Sequence, residues 1–156
     1  MNVINNTINR MNFLILDVSE RINSYSEDEL SAKPNPVKWS KKEILGHLCD
    51  SATNNLSRFI RAQFEEEPFR VVPYRQDEWV KLNGYNEMKA ERIVKLWCAL
   101  NLQIINVISR ISEEKLAVKC DLGDSAFREG ESEKNLLWLI EDYLIHMEYH
   151  LNQIFN

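Results

Sequence analysis

Two of the three histidines in this 156-residue chain, His146 and His150, stand four residues apart near its C-terminus. On a helix, a step of four turns about 400°, so both imidazoles leave one side of the helix a single turn apart. At that spacing two neutral imidazoles can bind one metal ion. The third histidine, His47, sits in what reads as a different helix. The set points to one divalent metal held by His47, His146 and His150. Three imidazoles leave a coordination position open, whereas a structural zinc site is usually closed by four protein ligands. A metal so held lowers the pKa of a bound water, polarises a carbonyl or binds a thiolate.

Each of these residues also has a plainer reading. The histidine pair lies roughly 40 to 80° from the apolar stripe of its own segment, which equally suits polar side chains at a core edge. His47 lies roughly 140° from the centre of its helix's apolar stripe. It is therefore either exposed or directed into a groove between helices, and a shared metal requires the groove. Asp142 precedes His146 by one turn, and Asp50 follows His47 by about one turn. Either is a candidate to orient an imidazole or to act as a base, set against the commoner case of a solvated carboxylate on a helix surface. Trp79 is a candidate wall of a substrate pocket, or an aromatic that anchors its loop by burial. Arg58 and Arg61 could pair with an anionic substrate, and a solvated face explains them as well. Ser51, one turn beyond His47, has no evident base to activate it. Cys49 lies two residues from His47 and so on a different side of the helix.

Four amphipathic segments must position these groups. Ile4, Ile8, Met11, Ile15, Val18 and Ile22 recur at steps of three and four and predict a helix over 3–23. Ser26 with Glu29 is a capping-box pattern for a short extra turn, which the Lys33-Pro34-Asn35-Pro36 stretch stops. Ser40 with Glu43 is a second capping box, flanked by Trp39 and Ile44 as a hydrophobic staple. It opens a helix that runs through Leu45, Leu48, Ala52, Phe59 and Gln63. Periodicity is lost from Pro68 to Tyr85, which reads as a long loop packed across the bundle. A third helix starts near Asn86 and carries Ile93, Leu96, Trp97, Leu100, Ile104, Val107 and Ile111, with a short turn after Ser112. Cys120 to Glu131 reads as loop, and Ser132 is placed to cap a fourth helix through Leu136, Ile140, Tyr143, Met147 and Ile154.

An all-α four-helix bundle buries these four stripes in a single domain spanning 1–156. The halves also echo each other: a tryptophan precedes a histidine by eight residues in both Trp39–His47 and Trp138–His146. A pseudo-twofold of that kind would face His47 toward His146.

Composition narrows the function classes. A net charge of −5 argues against nucleic acid and anionic membrane surfaces as partners. No apolar run approaches the roughly 18 to 20 residues that a bilayer needs. Cys49, Cys98 and Cys120 are scattered, odd in number and without CxxC spacing, which fits a reducing cytosol. The start of the chain lacks the pattern of a signal peptide. A cytoplasmic protein is expected.

Two blocks carry a family resemblance. Trp39-Ser40-Lys41-Lys42-Glu43-Ile44-Leu45-Gly46-His47-Leu48 resembles the helix-two signature of the DinB-like (DinB/YfiT-type) superfamily. Asp142-Tyr143-Leu144-Ile145-His146-Met147-Glu148-Tyr149-His150-Leu151 resembles its last-helix signature. The resemblance implies an up-down-down-up four-helix bundle with a long connection between helices two and three, often as a homodimer. It also implies a divalent metal, commonly nickel or zinc, held at the positions of His47, His146 and His150. Some members are similar to transferases or isomerases that use low-molecular-weight thiols. The leading expectation is a metal-dependent enzyme acting on a small molecule, either a hydrolase or a small-thiol transferase. The alternative is a non-catalytic binding module whose metal site is vestigial or structural.

Overall fold

The computed structural model describes residues 2–123 and 132–156. Its helices are α1 (Asn2–Arg21), α2 (Glu27–Ser31), α3 (Lys41–Arg61), α4 (Gln76–Asn83), α5 (Ala90–Ile108), α6 (Glu113–Leu116) and α7 (Leu136–Phe155). The four long ones, α1, α3, α5 and α7, form the bundle. Both expected capping boxes are present, with the Ser26 and Ser40 hydroxyls accepting from the Glu29 and Glu43 amides. Met11, Leu48, Phe59, Trp97, Ile104 and Ile140 are among the apolar side chains fully buried between the long helices.

Side-chain contacts fix the helix directions. Lys41 Nζ donates to the Ile154 carbonyl and the Phe59 ring lies 5.8 Å from Tyr143, so α3 and α7 are antiparallel. Ser40 Oγ donates to Asn86 Oδ1 at 2.6 Å and Cys49 Sγ donates to the Ile93 carbonyl at 3.6 Å. The starts of α3 and α5 therefore lie together, and these two helices run parallel. Arg10 pairs with Glu148 at 2.5 Å and Arg21 lies over Phe155, so α1 runs parallel to α7. The order is up, down, down, up. Two successive parallel helices require a connection that travels back along the bundle, and residues 62–89 supply it.

That connection is more ordered than its lost periodicity implies. It contains β1 (Phe69–Arg70), α4 and a 3-10 turn over Tyr85–Glu87, which also delays the start of α5 to Ala90. The stretch after α6 likewise holds a strand, β2 (Lys119–Asp121), where a loop is expected. With β3 (Glu133–Asn135), these make a three-stranded sheet in the order β1-β2-β3, parallel then antiparallel. Strands of two or three residues are too short to show an alternating pattern, and tertiary pairing decides them. The expected loop over 124–131 lies outside the described residues. Ser132 does not cap α7: β3 continues to Asn135, whose side chain accepts from the Trp138 amide at 2.8 Å.

Tyr85 clamps the connection onto α3. A Cβ on Gly46 would stand 2.1 Å from Tyr85 Cδ2, so the ring lies directly on the glycine. The Tyr85 hydroxyl donates to Asp50 Oδ1 at 2.6 Å, and Asn83 Nδ2 donates to the same oxygen at 3.0 Å. Asp50 is 2% exposed, so it is not a solvated surface carboxylate. Its Oδ2 is buried without a hydrogen-bond partner. Burial pushes this carboxyl up to about 6, against the opposing pull of the Tyr85 hydrogen bond.

Two outcomes follow from the clamp. Gly46→Ala should lower stability in urea unfolding by about 1–3 kcal/mol through overpacking, although alanine is the better helix former by about 1 kcal/mol. Asp50→Asn keeps an acceptor for Tyr85 and removes the ionisation. The folded protein loses this proton at higher pH than the unfolded chain, so ionising Asp50 costs stability as pH rises from about 4 past 6. The stability of Asp50→Asn relative to the parent should therefore climb by about 1–3 kcal/mol between pH 4 and pH 7.5. A flat difference across that range would show that Asp50 titrates normally.

Candidate metal centre

Leu136, Ile140, Tyr143, Met147, Leu151 and Ile154 bury one face of α7 in the bundle. His146 and His150 leave the flank of that face, half-buried, toward α3. Antiparallel packing sets His47 opposite them. Its Nε2 lies 3.3 Å from His146 Nε2, and its ring centroid lies 4.7 Å from that of His150. The His146 and His150 centroids are 4.6 Å apart. One nitrogen from each ring falls within 4.8 Å of the other two. The pseudo-twofold expectation that His47 faces His146 matches this placement.

His47 is 0% exposed, which overturns the exposed alternative; the ring points between α3 and α7 at His146 and His150, as a shared metal requires. Trp39 closes the groove over it, with ring centroids 4.9 Å apart, and also lies 6.5 Å from His150. A helical wheel of α3 alone cannot show this, because the cover comes from a residue outside α3.

The electrostatics favour uncharged rings. Burial, then the neighbouring imidazoles, lowers His47 to about 3. Burial and His150 lower His146 to about 4, and burial lowers His150. The His150 Nδ1 lies 2.8 Å from Gln153 Oε1. A carboxamide oxygen only accepts, so Nδ1 carries the proton and Nε2 keeps its lone pair. His47 Nδ1 is buried with no hydrogen-bond partner, so stacking against Trp39 orients this ring instead.

Neutral imidazoles converging in this way fit a divalent metal. Zinc–nitrogen bonds of about 2.0–2.1 Å at tetrahedral angles separate two ligand nitrogens by about 3.3 Å. That matches the His47–His146 spacing of 3.3 Å. Gln153 supplies the outer hydrogen bond that typically fixes a ligand histidine.

A cavity of about 300 Å³ opens beside His146, between α3, α7 and the β1–α4 segment. Asp142 lines it, as do Ser51, Asn55, Arg58 and Tyr74. Of the two carboxylate candidates, Asp142 adjoins this space, while Asp50 is engaged by Tyr85 and Asn83. Trp79 does not line the cavity. It packs edge-on against Tyr74, with centroids 5.4 Å apart, and so supports the wall from behind. Arg58 reaches the cavity, whereas Arg61 is exposed and pairs with Glu65 at 2.6 Å. Cys49 faces α5, away from the histidines.

Asn55, Tyr74, Trp39 and Gln153 were not legible as site residues. Two carried a signal: Asn55 continues the His47–Ser51 step of four, and Gln153 stands one turn beyond His150. Among the described residues, no helix is long and apolar enough to cross a membrane.

Comparison with known proteins places this geometry. The model of the DinB superfamily matches residues 16–154. Two proteins of Oceanobacillus iheyensis are similar to the chain. One, named "Putative metal-dependent hydrolase OB0413", is 26% identical over 64% of this chain and 56% of its own length. The other, "Putative metal-dependent hydrolase OB0782", is 29% identical over 63% of this chain and 60% of its own length. The matched stretch thus spans less than two thirds of either relative. Among solved structures, the fold is like that of YfiT from Bacillus subtilis, described as "a probable metal-dependent hydrolase with an unusual four-helix bundle topology". The TM-score is 0.83 at 16% identity, covering 97% of this chain and 83% of that one. With a family match over nearly its whole length, the chain belongs to the DinB superfamily.

Proposed function

We propose that this protein is a metal-dependent hydrolase of small molecules, with His47, His146 and His150 holding zinc or nickel. The observation that carries the proposal is three uncharged imidazoles converging within 4.8 Å beside a cavity. Imidazole nitrogens suit either metal. The names of the two Oceanobacillus relatives support the same reading. A non-catalytic structural metal calls for a closed ligand set, and the space beside His146 favours catalysis instead.

The metal would supply Lewis acidity and a bound water of lowered pKa. The chain's own groups do the rest. Low proton affinity keeps His47 and His146 available as donors at neutral pH. Trp39 covers His47 and excludes water from that side. Asp142, one turn before His146 and lining the cavity, is the proposed general base, taking a proton from the attacking water. Tyr74, pushed up to about 12 mainly by burial, stays a neutral phenol and a hydrogen-bond donor in the wall.

Protein purified without a polyhistidine tag should contain close to one equivalent of a transition metal by plasma mass spectrometry, and His150→Ala should lose most of it. Less than half an equivalent, unchanged in His150→Ala, rules the proposal out. Asp142→Asn should retain the metal and slow hydrolysis of 4-nitrophenyl acetate by about 10²–10⁴-fold. Unaltered turnover in that variant would remove Asp142 from the mechanism.

A further inference from the structure

The cavity contains a cation, Arg58, that makes no ion pair with any of the described residues. Arg58 stands about three turns, roughly 16 Å, beyond His47 along α3. His47, Ser51, Asn55 and Arg58 follow steps of four, four and three, so they share one polar stripe of that helix. The last three of them line the cavity together with His146.

The Arg58 guanidinium is half-buried, and burial lowers its proton affinity. Its hydrogen bonds go to neutral acceptors, the Val72 carbonyl at 2.7 Å and Asn55 Oδ1 at 3.4 Å. No carboxylate of the described residues lies within salt-bridge distance of it. Of the other described arginines, Arg10, Arg21, Arg61 and Arg75 each pair with an acid, and Arg70, Arg92 and Arg110 are exposed to water. Arg58 is thus neither ion-paired nor fully hydrated, although a desolvated charge gains most from a partner. A guanidinium has five N–H donors, and these two bonds leave three free for a bidentate anion. The rest of the lining is largely apolar, with Val71, Leu122, Trp138 and Leu139 on the walls.

We infer that the cavity takes a small molecule bearing a carboxylate or phosphate on an apolar body, and that Arg58 is the residue that selects the anion. The substrate's reacting end then points to His146 and its anionic end to Arg58. This assignment rests on the hydrolase reading for the chemistry at the histidines, and not for the anion's binding.

Isothermal titration calorimetry with 4-phenylbutyrate and its uncharged amide, 4-phenylbutyramide, tests it in metal-loaded and metal-stripped protein. The carboxylate should bind at least tenfold more tightly than the amide in both preparations. Arg58→Gln should bring the two ligands within about twofold by weakening only the carboxylate. Arg58→Lys keeps the charge but loses the fork, and should retain part of the preference. It carries the test should the glutamine variant fail to melt cooperatively. Equal binding of the two ligands, no binding of either, or a preference unchanged in both variants overturns the inference. So does a preference that disappears on metal stripping, which would place the anion on the metal. A protein without metal would sink the hydrolase reading while leaving the stripped-protein comparison intact.

Discussion

Three buried imidazoles packed against one another resist taking up protons. Burial strips water from His47 and His146, and each charge that forms would face its neighbours at close range. Protonation is costly to the point that His47 falls to about 3. Each neutral ring then carries one proton and one lone pair, and the tautomer decides which nitrogen holds which. His47 Nε2 and His146 Nε2 stand 3.3 Å apart, and His150 spends its one proton on Gln153. Such a cluster is poor at stabilising a fold and good at receiving a cation.

Helix order makes the cluster possible. His47 comes from α3 and the other two from α7, which touch only because the chain runs up, down, down, up. In that order α3 and α5 are parallel, so the chain must climb back along the bundle between them. The climb produces β1, α4 and Tyr85, the segment that walls the cavity on one side and lies on Gly46 on the other. One topological requirement thus places the ligands, the cover and the adjoining space. A simple up-down-up-down bundle with short turns would have no segment free to do so.

The polar groups of α3 divide by face. Asp50 turns toward Tyr85 and Asn83 and serves the clamp, while Ser51, Asn55 and Arg58 turn toward the cavity. Adjacent residues on a helix point about 100° apart, so Asp50 and Ser51 serve different structures. A buried carboxyl with one unpartnered oxygen is expensive, and Asp50 is tolerated because its other oxygen takes two donors.

The sequence by itself determined the four long helices, both capping boxes and the pairing of His146 with His150 on one helix side. These rest on local spacing: apolar steps of three and four, a serine three residues before a glutamate, and imidazoles one turn apart. It misjudged the solvation of Asp50, left open whether His47 was exposed or turned into a groove, and saw only loop where α4, β1 and β2 form. Burial of Asp50 depends on Tyr85, thirty-five residues away, and burial of His47 depends on Trp39 and the facing rings of α7. Short strands owe their existence to partners from distant connections, as Cys120 does to Phe69 and Lys134. Only the tertiary structure could decide these, because a side chain's solvation is set by whatever packs against it, and helical periodicity records only the face it leaves from.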